Sequence, residues 1–153
     1  MTRAAGAVLV ALAALAAVAG CDDRADPDPG ADPDAAPTVD GTAAHPLVGA
    51  IATLATHAHQ VSGEVEVTDD RTLELRGFTF DGTGLDVRLY GGVGGAYASG
   101  VALTDDLRRA GGYADELLEI TLPAGVTLDD FDGVSVWCVP AGASFGDGLF
   151  VAP

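Results

Sequence analysis

Residues 60–80 read QVSGEVEVTDDRTLELRGFTF, and this stretch decides the fold. Apolar residues alternate with polar ones on both sides of a short acidic segment, TDDR, at residues 68–71. Successive side chains of a β-strand point to opposite faces, so this alternation predicts strands with one buried face. Asp is a common turn former. The stretch therefore predicts two antiparallel strands joined as a β-hairpin.

The same pattern continues towards the end of the chain in five more short segments, which are separated by Gly or Asp residues. They are residues 85–90, 100–103, 117–122, 134–139 and 148–152. Seven short strands predict an all-β domain, either a small antiparallel β-sandwich or a barrel. Residues 47–58 fit a helix and a strand equally well, and residues 104–116 are predicted to form a loop.

The chain begins with the pattern of an export signal. Arg3 precedes an apolar run that ends in small residues. The run is shorter than the roughly 20 residues that a spanning helix needs, so a signal peptide over residues 1–20 is favoured over a membrane span. Residues 18–21, VAGC, resemble the lipobox of bacterial lipoproteins. That resemblance implies lipidation of the Cys21 sulfur, which would hold the mature protein to a membrane.

Residues 21–44 are rich in Asp, Pro and Ala and contain little that a core could bury. Such a segment cannot offset the entropy of ordering, so we expect a disordered stalk between the lipid anchor and a domain over residues 45–153. The chain has a formal net charge of −16 and contains no Lys. Because phosphate binding depends on Lys and Arg, nucleic acid is not expected as a partner.

Three segments occur in a fixed order along the domain. They are HQVSGEVEV at residues 59–67, LRGFTFDGTGLDVRLY at residues 75–90 and ITLPAGVTLDDFDGVSVWCVPAGASFGDGLF at residues 120–150. Together they resemble the DM-thirteen domain family, a small all-β extracellular module of Skeletor-type animal proteins and many bacterial envelope proteins. The resemblance implies an electron-transfer domain whose single characteristic cysteine, here Cys138, cycles as a thiol or holds a prosthetic group such as haem. One departure is Gly84-Leu85, where the family is expected to have Gly-Pro.

Cys138 would have no disulfide partner within the chain, because the other cysteine is Cys21 and would be lipidated. Strand alternation places Cys138 on the same face as Val134 and Val136, which suits a buried thiol. Reactive thiols need positive neighbours, whereas the charges close in sequence are the Asp residues of segment 129–132. A nucleophilic enzyme is therefore disfavoured, and a redox thiol and a structural buried thiol both stay open.

His59 opens the family pattern, and the resemblance makes it a possible second group beside Cys138. His57 and His59 are two residues apart, so on a strand they would point to the same side and could share a metal ion. Histidines ahead of a strand are more often plain surface residues, so these two are weak candidates and we predict no metal site. A C-x-x-C-H motif for haem attachment is absent, and Met1 would be removed with the signal peptide, so haem would have only Cys138 or a histidine as its ligand.

These patterns predict an extracytoplasmic lipoprotein of the cell envelope, anchored to a membrane and carrying a DM-thirteen-like domain. Its expected role is electron transfer or another redox function through Cys138, with an unidentified redox or binding partner in the envelope. The alternative is a non-catalytic binding or adhesion module in which Cys138 is structural. An enzyme is the least favoured class, because the sequence shows no set of acid, base and nucleophile.

Overall fold

The computed structural model describes residues 43–153 of the chain. The predicted signal peptide, Cys21 and nearly all of the predicted stalk lie outside the described residues. No helix within residues 43–153 is long and apolar enough to cross a membrane. This part of the chain forms nine β-strands and two 3-10 helices: β1 Ile51–Thr53, β2 Ala55–Thr56, β3 Ser62–Asp69, β4 Thr72–Phe80, β5 Val87–Gly92, β6 Val101–Ala102, β7 Tyr113–Thr121, β8 Gly133–Cys138 and β9 Ala143–Leu149, with the 3-10 helices at Tyr97–Ser99 and Leu128–Asp130.

The strands form two antiparallel sheets. One sheet has four strands in the order β1-β3-β4-β7, and the other has five in the order β2-β9-β8-β5-β6. The predicted hairpin is β3 with β4, in which Val65 pairs with Leu75 and Val67 pairs with Leu73. All four of these side chains are fully buried. The all-β prediction is confirmed, and the fold is a small β-sandwich.

The segment that fitted both a helix and a strand begins in a turn at residues 46–49, and its strands then belong to different sheets. β1 pairs with β3 in the four-stranded sheet, whereas β2 pairs with β9 in the five-stranded sheet. Leu54 lies between these two short strands and is buried. The segment therefore links the two sheets, because each half finds a strand edge with which its backbone groups can bond.

Several of the predicted strand boundaries are wrong, and those of β7 and β9 differ the most. Residues 113–116 were expected in a loop but begin β7, because Tyr113 pairs with Phe80 and extends the pairing with β4. The last strand lies at Ala143–Leu149 rather than at residues 148–152, because β9 pairs with β8 over this range. In both cases hydrogen bonds to the neighbouring strand decide where the strand begins and ends.

The core lies between the two sheets and is built from alternate strand positions. Phe78 and Phe80 of β4 are fully buried, and so are Val134 and Val136 of β8. Burying a side chain of this size contributes roughly 1.5–3 kcal/mol. Because β8 is the central strand of its sheet, Cys138 at its end is held by a neighbouring strand on each side.

Candidate functional site: the Cys138 thiol and the loop above it

Cys138 is the last residue of β8 and is only 3% exposed. Its direct neighbours are Val87 of β5 and Ala143 of β9. The Sγ atom donates a hydrogen bond to the carbonyl oxygen of Leu85 at 3.5 Å. Within residues 43–153 this is a free cysteine with no disulfide partner. The site is therefore a single buried thiol at the edge of the core.

A loop at residues 81–86 lies over the thiol. Leu85, whose carbonyl accepts the thiol hydrogen bond, is itself 65% exposed. Strand β5 begins at Val87 rather than at Leu85, because the φ of 52° at Asp86 interrupts the extended backbone. The amide of Val139 donates to the carbonyl of Asp86 at 3.0 Å. The loop is thus bonded to the end of β8 on one side and faces solvent on the other.

Gly84 allows this loop to lie close to the sandwich. Its φ is 129°, and a Cβ atom there would lie 2.7 Å from Cγ2 of Val87 and 3.2 Å from the ring of Phe145. An L-residue is strained at this φ and has no room for its side chain. The approach of the loop to the thiol therefore depends on a glycine at this position.

Arg108 lies within electrostatic range of Cys138, and its guanidinium is paired with the carboxylate of Asp106. The pKa of Arg108 is raised mainly by its hydrogen bond to Asp106, with smaller contributions from Asp86 and Cys138. Asp106 also accepts a hydrogen bond from the amide of Val87 at 3.1 Å, which fixes this second loop to β5. Sequence reasoning missed Arg108, because it is distant from Cys138 in the chain and belongs to no motif that was recognised.

The acidic residues that precede β8 lie at the opposite end of that strand. Asp129 and Asp130 belong to a 3-10 helix, and Asp132 directly precedes Gly133, the first residue of β8. A strand advances about 3.3 Å per residue, so the length of β8 separates these carboxylates from Cys138. The charges that are close to Cys138 in sequence are therefore not the charges that surround its sulfur.

His59 lies in the turn between β2 and β3, where His59 and Gln60 have φ values of 54° and 58°. This left-handed backbone is uncommon for residues other than Gly. The Nδ1 atom of His59 lies 3.0 Å from Oδ2 of Asp81 and 3.0 Å from Oγ1 of Thr83. Its ring centroid is 4.0 Å from that of Phe145. Burial alone would raise the pKa of Asp81, but hydrogen bonds from Thr83 and His59 lower it overall.

The two residues predicted for the redox site meet at the same loop. His59 contacts the beginning of the loop, at Asp81 and Thr83, and the Cys138 thiol contacts its end, at Leu85. His59 therefore holds one end of the loop that covers the thiol. The thiol itself bonds to the other end of that loop.

The premise for a shared metal site at His57 and His59 is wrong, because both residues follow β2 and neither lies in a strand. Nε2 of His57 contacts the carboxylate of Asp147, whereas His59 contacts Asp81. The two imidazoles thus bond to carboxylates from different parts of the chain. Among the residues that the structure describes, no group of three or more His, Cys, Asp and Glu is placed to hold a metal ion.

A shallow cleft of about 450 Å³ opens beside the loop. It is lined by residues 81–84, 106 and 108–111. This lining is made of Gly, Asp, Thr and Arg, with Ala110 as its one apolar side chain. A haem macrocycle needs a predominantly apolar pocket. Cys138 does not line the cleft, so these residues do not fit a haem with Cys138 as its ligand.

A family model described as "Electron transfer DM13" matches residues 53–149. The chain belongs to this family. The matched range includes β8 with Cys138, the turn with His59 and the loop between them, and the resemblance seen in the sequence is confirmed.

The DM13 chain is also similar to two forms of Protein Skeletor from Drosophila melanogaster. It is 34% identical over 114 residues both to isoforms B/C and to isoforms D/E. The aligned region covers 70% of this chain, but only 14% and 8% of those two proteins. The chain therefore spans a small fraction of the length of these curated relatives. No solved structure matches it.

Proposed function

We propose that this chain is a lipid-anchored protein of the cell envelope whose DM13 domain transfers single electrons through the Cys138 thiol. The observation that carries the proposal is the free thiol of Cys138, bonded to one backbone carbonyl beneath a loop whose Leu85 faces solvent. Membership of the electron-transfer DM13 family supports it. The leader-like pattern of residues 1–20 and the resemblance of residues 18–21 to a lipobox support the anchor.

Burial favours electron transfer over thiol–disulfide exchange. Exchange requires in-line attack by a thiolate on another sulfur, and a sulfur in a residue that is 3% exposed leaves no room for the thiol of a second protein. Electron transfer needs proximity but no bond between the partners. In the proposed step Cys138 loses its thiol proton to water and one electron to an oxidised metal centre of a partner protein. The oxidation state of the metal falls by one.

A resident haem is not part of this proposal. The cleft beside the loop is lined by glycines and by polar or charged residues, with Ala110 as its one apolar side chain, and it does not include the thiol, so no step is assigned to a bound macrocycle. The metal centre that accepts the electron belongs to the partner.

The second candidate is a binding or adhesion module in which Cys138 only packs the core. The burial of Cys138 beside valines on β8 favours this reading, because free cysteine often acts as a small hydrophobic residue. In that case removing the sulfur would change stability but no redox property.

Replacing the sulfur separates the two candidates. The full-length protein, produced with its own leader and extracted in detergent, is oxidised by a photogenerated ruthenium(III) polypyridine complex in the presence of a nitrone spin trap. We expect a trapped radical at Cys138, mapped by mass spectrometry, and its loss in Cys138→Ser. The control Val136→Ala disturbs the same buried face of β8 without removing sulfur and should keep the adduct. A wild-type protein without an adduct at Cys138 would support the structural reading.

The lipid anchor is tested at the amino terminus. Intact-mass analysis of membrane-extracted protein should show a chain that begins at Cys21 and carries a diacylglyceryl group. Cys21→Ala should leave the membrane fraction. A disulfide from Cys21 to Cys138, or an unmodified amino terminus, would contradict the anchor.

A further inference from the structure

The outer face of the five-stranded sheet carries an aromatic cluster formed by Tyr90, Tyr97 and Trp137. Tyr90 pairs with Ser135 and Trp137 pairs with Arg88, so Tyr90 and Trp137 are diagonal neighbours on one face. The Trp137 ring centroid is 6.5 Å from that of Tyr90 and 6.3 Å from that of Tyr97. These separations fall within the range of about 4.5–7 Å at which aromatic rings interact. The indole therefore contacts both phenol rings.

Two glycines allow Tyr97 to lie against the sheet. Gly92 of β5 pairs with Gly133 of β8. A Cβ atom at Gly92 would lie 2.7 Å from Cδ1 of Tyr97, and one at Gly133 would lie 3.1 Å from its hydroxyl oxygen. Tyr97 is consequently only 3% exposed although it covers the outer face of a sheet. The two glycines leave a site without side chains on two neighbouring strands, and the ring of Tyr97 fills this site.

A carboxylate lies near the hydroxyl of Tyr97. The charge of Asp147 is close enough to raise the pKa of this hydroxyl, and the same carboxylate contacts Nε2 of His57. Burial raises the pKa of Tyr97 to about 12, with further contributions from Asp147 and Asp132. The phenol is therefore protonated at neutral pH. Oxidation of a phenol makes it strongly acidic, so a nearby carboxylate is suited to take up its proton.

We propose that Tyr97 is a redox-active residue and that Trp137 passes electrons between Tyr97 and the Cys138 thiol, an inference that rests on the function proposed above. Tyr97 gives one electron to the oxidised metal centre of a partner protein, and the oxidation state of that metal falls by one. The phenolic O–H bond breaks as its proton moves to the carboxylate of Asp147, and a neutral tyrosyl radical remains.

The step that reduces the tyrosyl radical uses two adjacent residues of β8. Trp137 and Cys138 are adjacent in β8, with the indole on the outer face and the thiol beside the core. An electron from Cys138, whose thiol proton goes to water, passes by way of Trp137 to the tyrosyl radical. The proton on Asp147 then returns to Tyr97 and re-forms the O–H bond. A reduced metal centre of a second partner restores Cys138 with one electron, and water supplies the proton.

The composition of the chain makes a sharp test possible, because it contains three tyrosines and one tryptophan. Ruthenium(III) tris-bipyridine is generated by flash photolysis with the full-length protein in detergent. Radicals are identified by transient absorption and by electron paramagnetic resonance of freeze-quenched samples. We expect a tyrosyl signal that is lost in Tyr97→Phe. Tyr113→Phe is the matched control, since it removes the same O–H group from the other sheet, where Tyr113 packs against Phe78, and it should keep the signal.

Two further variants test the proton and the route. Asp147→Asn keeps the shape of the side chain but provides no carboxylate, so the tyrosyl signal should give way to a tryptophanyl signal. Trp137→Phe should slow the reduction of the tyrosyl radical by Cys138. A tyrosyl signal that persists in Tyr97→Phe would overturn the proposal, and an unchanged signal in Asp147→Asn would overturn the role of Asp147.

Failure of this inference can be distinguished from failure of the proposed function. Cys138→Ser should keep the Tyr97 radical but prolong its lifetime, because the electron donor is gone. If the adduct at Cys138 forms while Tyr97→Phe has no effect, the thiol function stands and the Tyr97 relay fails. If the Tyr97 radical forms and its lifetime is the same in Cys138→Ser, the relay from the thiol fails and Tyr97 acts without it.

Discussion

At the scale of single residues, the Cys138 thiol depends on a loop that is held at both ends. His59 binds the loop at Asp81, and the thiol binds it at Leu85. Gly84 lies between these contacts and allows the loop to approach the sandwich. Access to the sulfur therefore depends on the backbone of this loop, because the side chain of Leu85 is mostly exposed and does not pack in the core.

Gly84→Ala should expose the thiol. The new Cβ would meet Val87 at 2.7 Å, and the φ of 129° is unfavourable for alanine, so we expect a loss of about 1–3 kcal/mol of stability. The reaction of Cys138 with a thiol reagent under native conditions should become faster. Gly94→Ala is the control, because Gly94 also has a positive φ but no atom lies within 4 Å of its would-be Cβ. An equal reaction rate in both variants would show that the loop does not cover the sulfur.

Asp106 should make a contribution to stability that depends on pH. Its hydrogen bond from Arg108 lowers the folded-state pKa from 3.8 to about 2. The contribution is therefore fully present above pH 3.8 and is lost as the pH falls through about 2. In urea unfolding at a series of pH values, the difference between wild type and Asp106→Asn should shrink over this interval. The neighbouring exposed Asp105→Asn serves as the control, and a difference that stays constant with pH would contradict the prediction.

At the scale of elements, the link between the two sheets is a short extended segment. β1 and β2 are too short to be stable alone, and each belongs to a different sheet. Leu54 between them is buried in the common core. The side chain of this one residue thus joins both sheets at the edge of the sandwich.

Leu54→Ala should cost about 2–5 kcal/mol, because it removes a buried side chain and leaves a cavity. Ile51→Ala removes a similar aliphatic group from the same segment, but Ile51 is 40% exposed and should cost much less. The free energy of unfolding in urea measures both. Similar losses for the two variants would mean that Leu54 does not link the sheets.

At the scale of the whole molecule, the negative charge should favour cationic oxidants over anionic ones. A chain with a formal net charge of −16 attracts cationic molecules and repels anionic ones, and salt screens both effects. The rate of oxidation by a cationic ruthenium complex should therefore fall as the ionic strength rises. With an anionic oxidant such as ferricyanide the rate should rise instead. Equal salt dependence for the two oxidants would contradict electrostatic selection.

Much of the sandwich could be predicted from local patterns. The alternation in residues 60–80 depends only on neighbouring residues, and it correctly indicated β3, β4 and their buried face. The same reasoning placed Cys138 among buried valines. Strand ends were less predictable, as β7 and β9 show, because hydrogen bonding by a neighbouring strand decides them.

By itself, the amino-acid sequence determined the all-β class, the buried face of β8, the acidic character of the chain and its membership of the DM13 family. Only the tertiary structure decided which groups surround the thiol and which aromatic rings lie across the strand from it. Arg108 and Tyr97 are far from Cys138 along the chain, and no pattern marks them. Packing of the loops on the sheet brings Tyr97 against Trp137, and it brings Asp106 with its partner Arg108 to Val87, which pairs with Cys138. That packing depends on the shape of the whole sandwich rather than on any local run of residues.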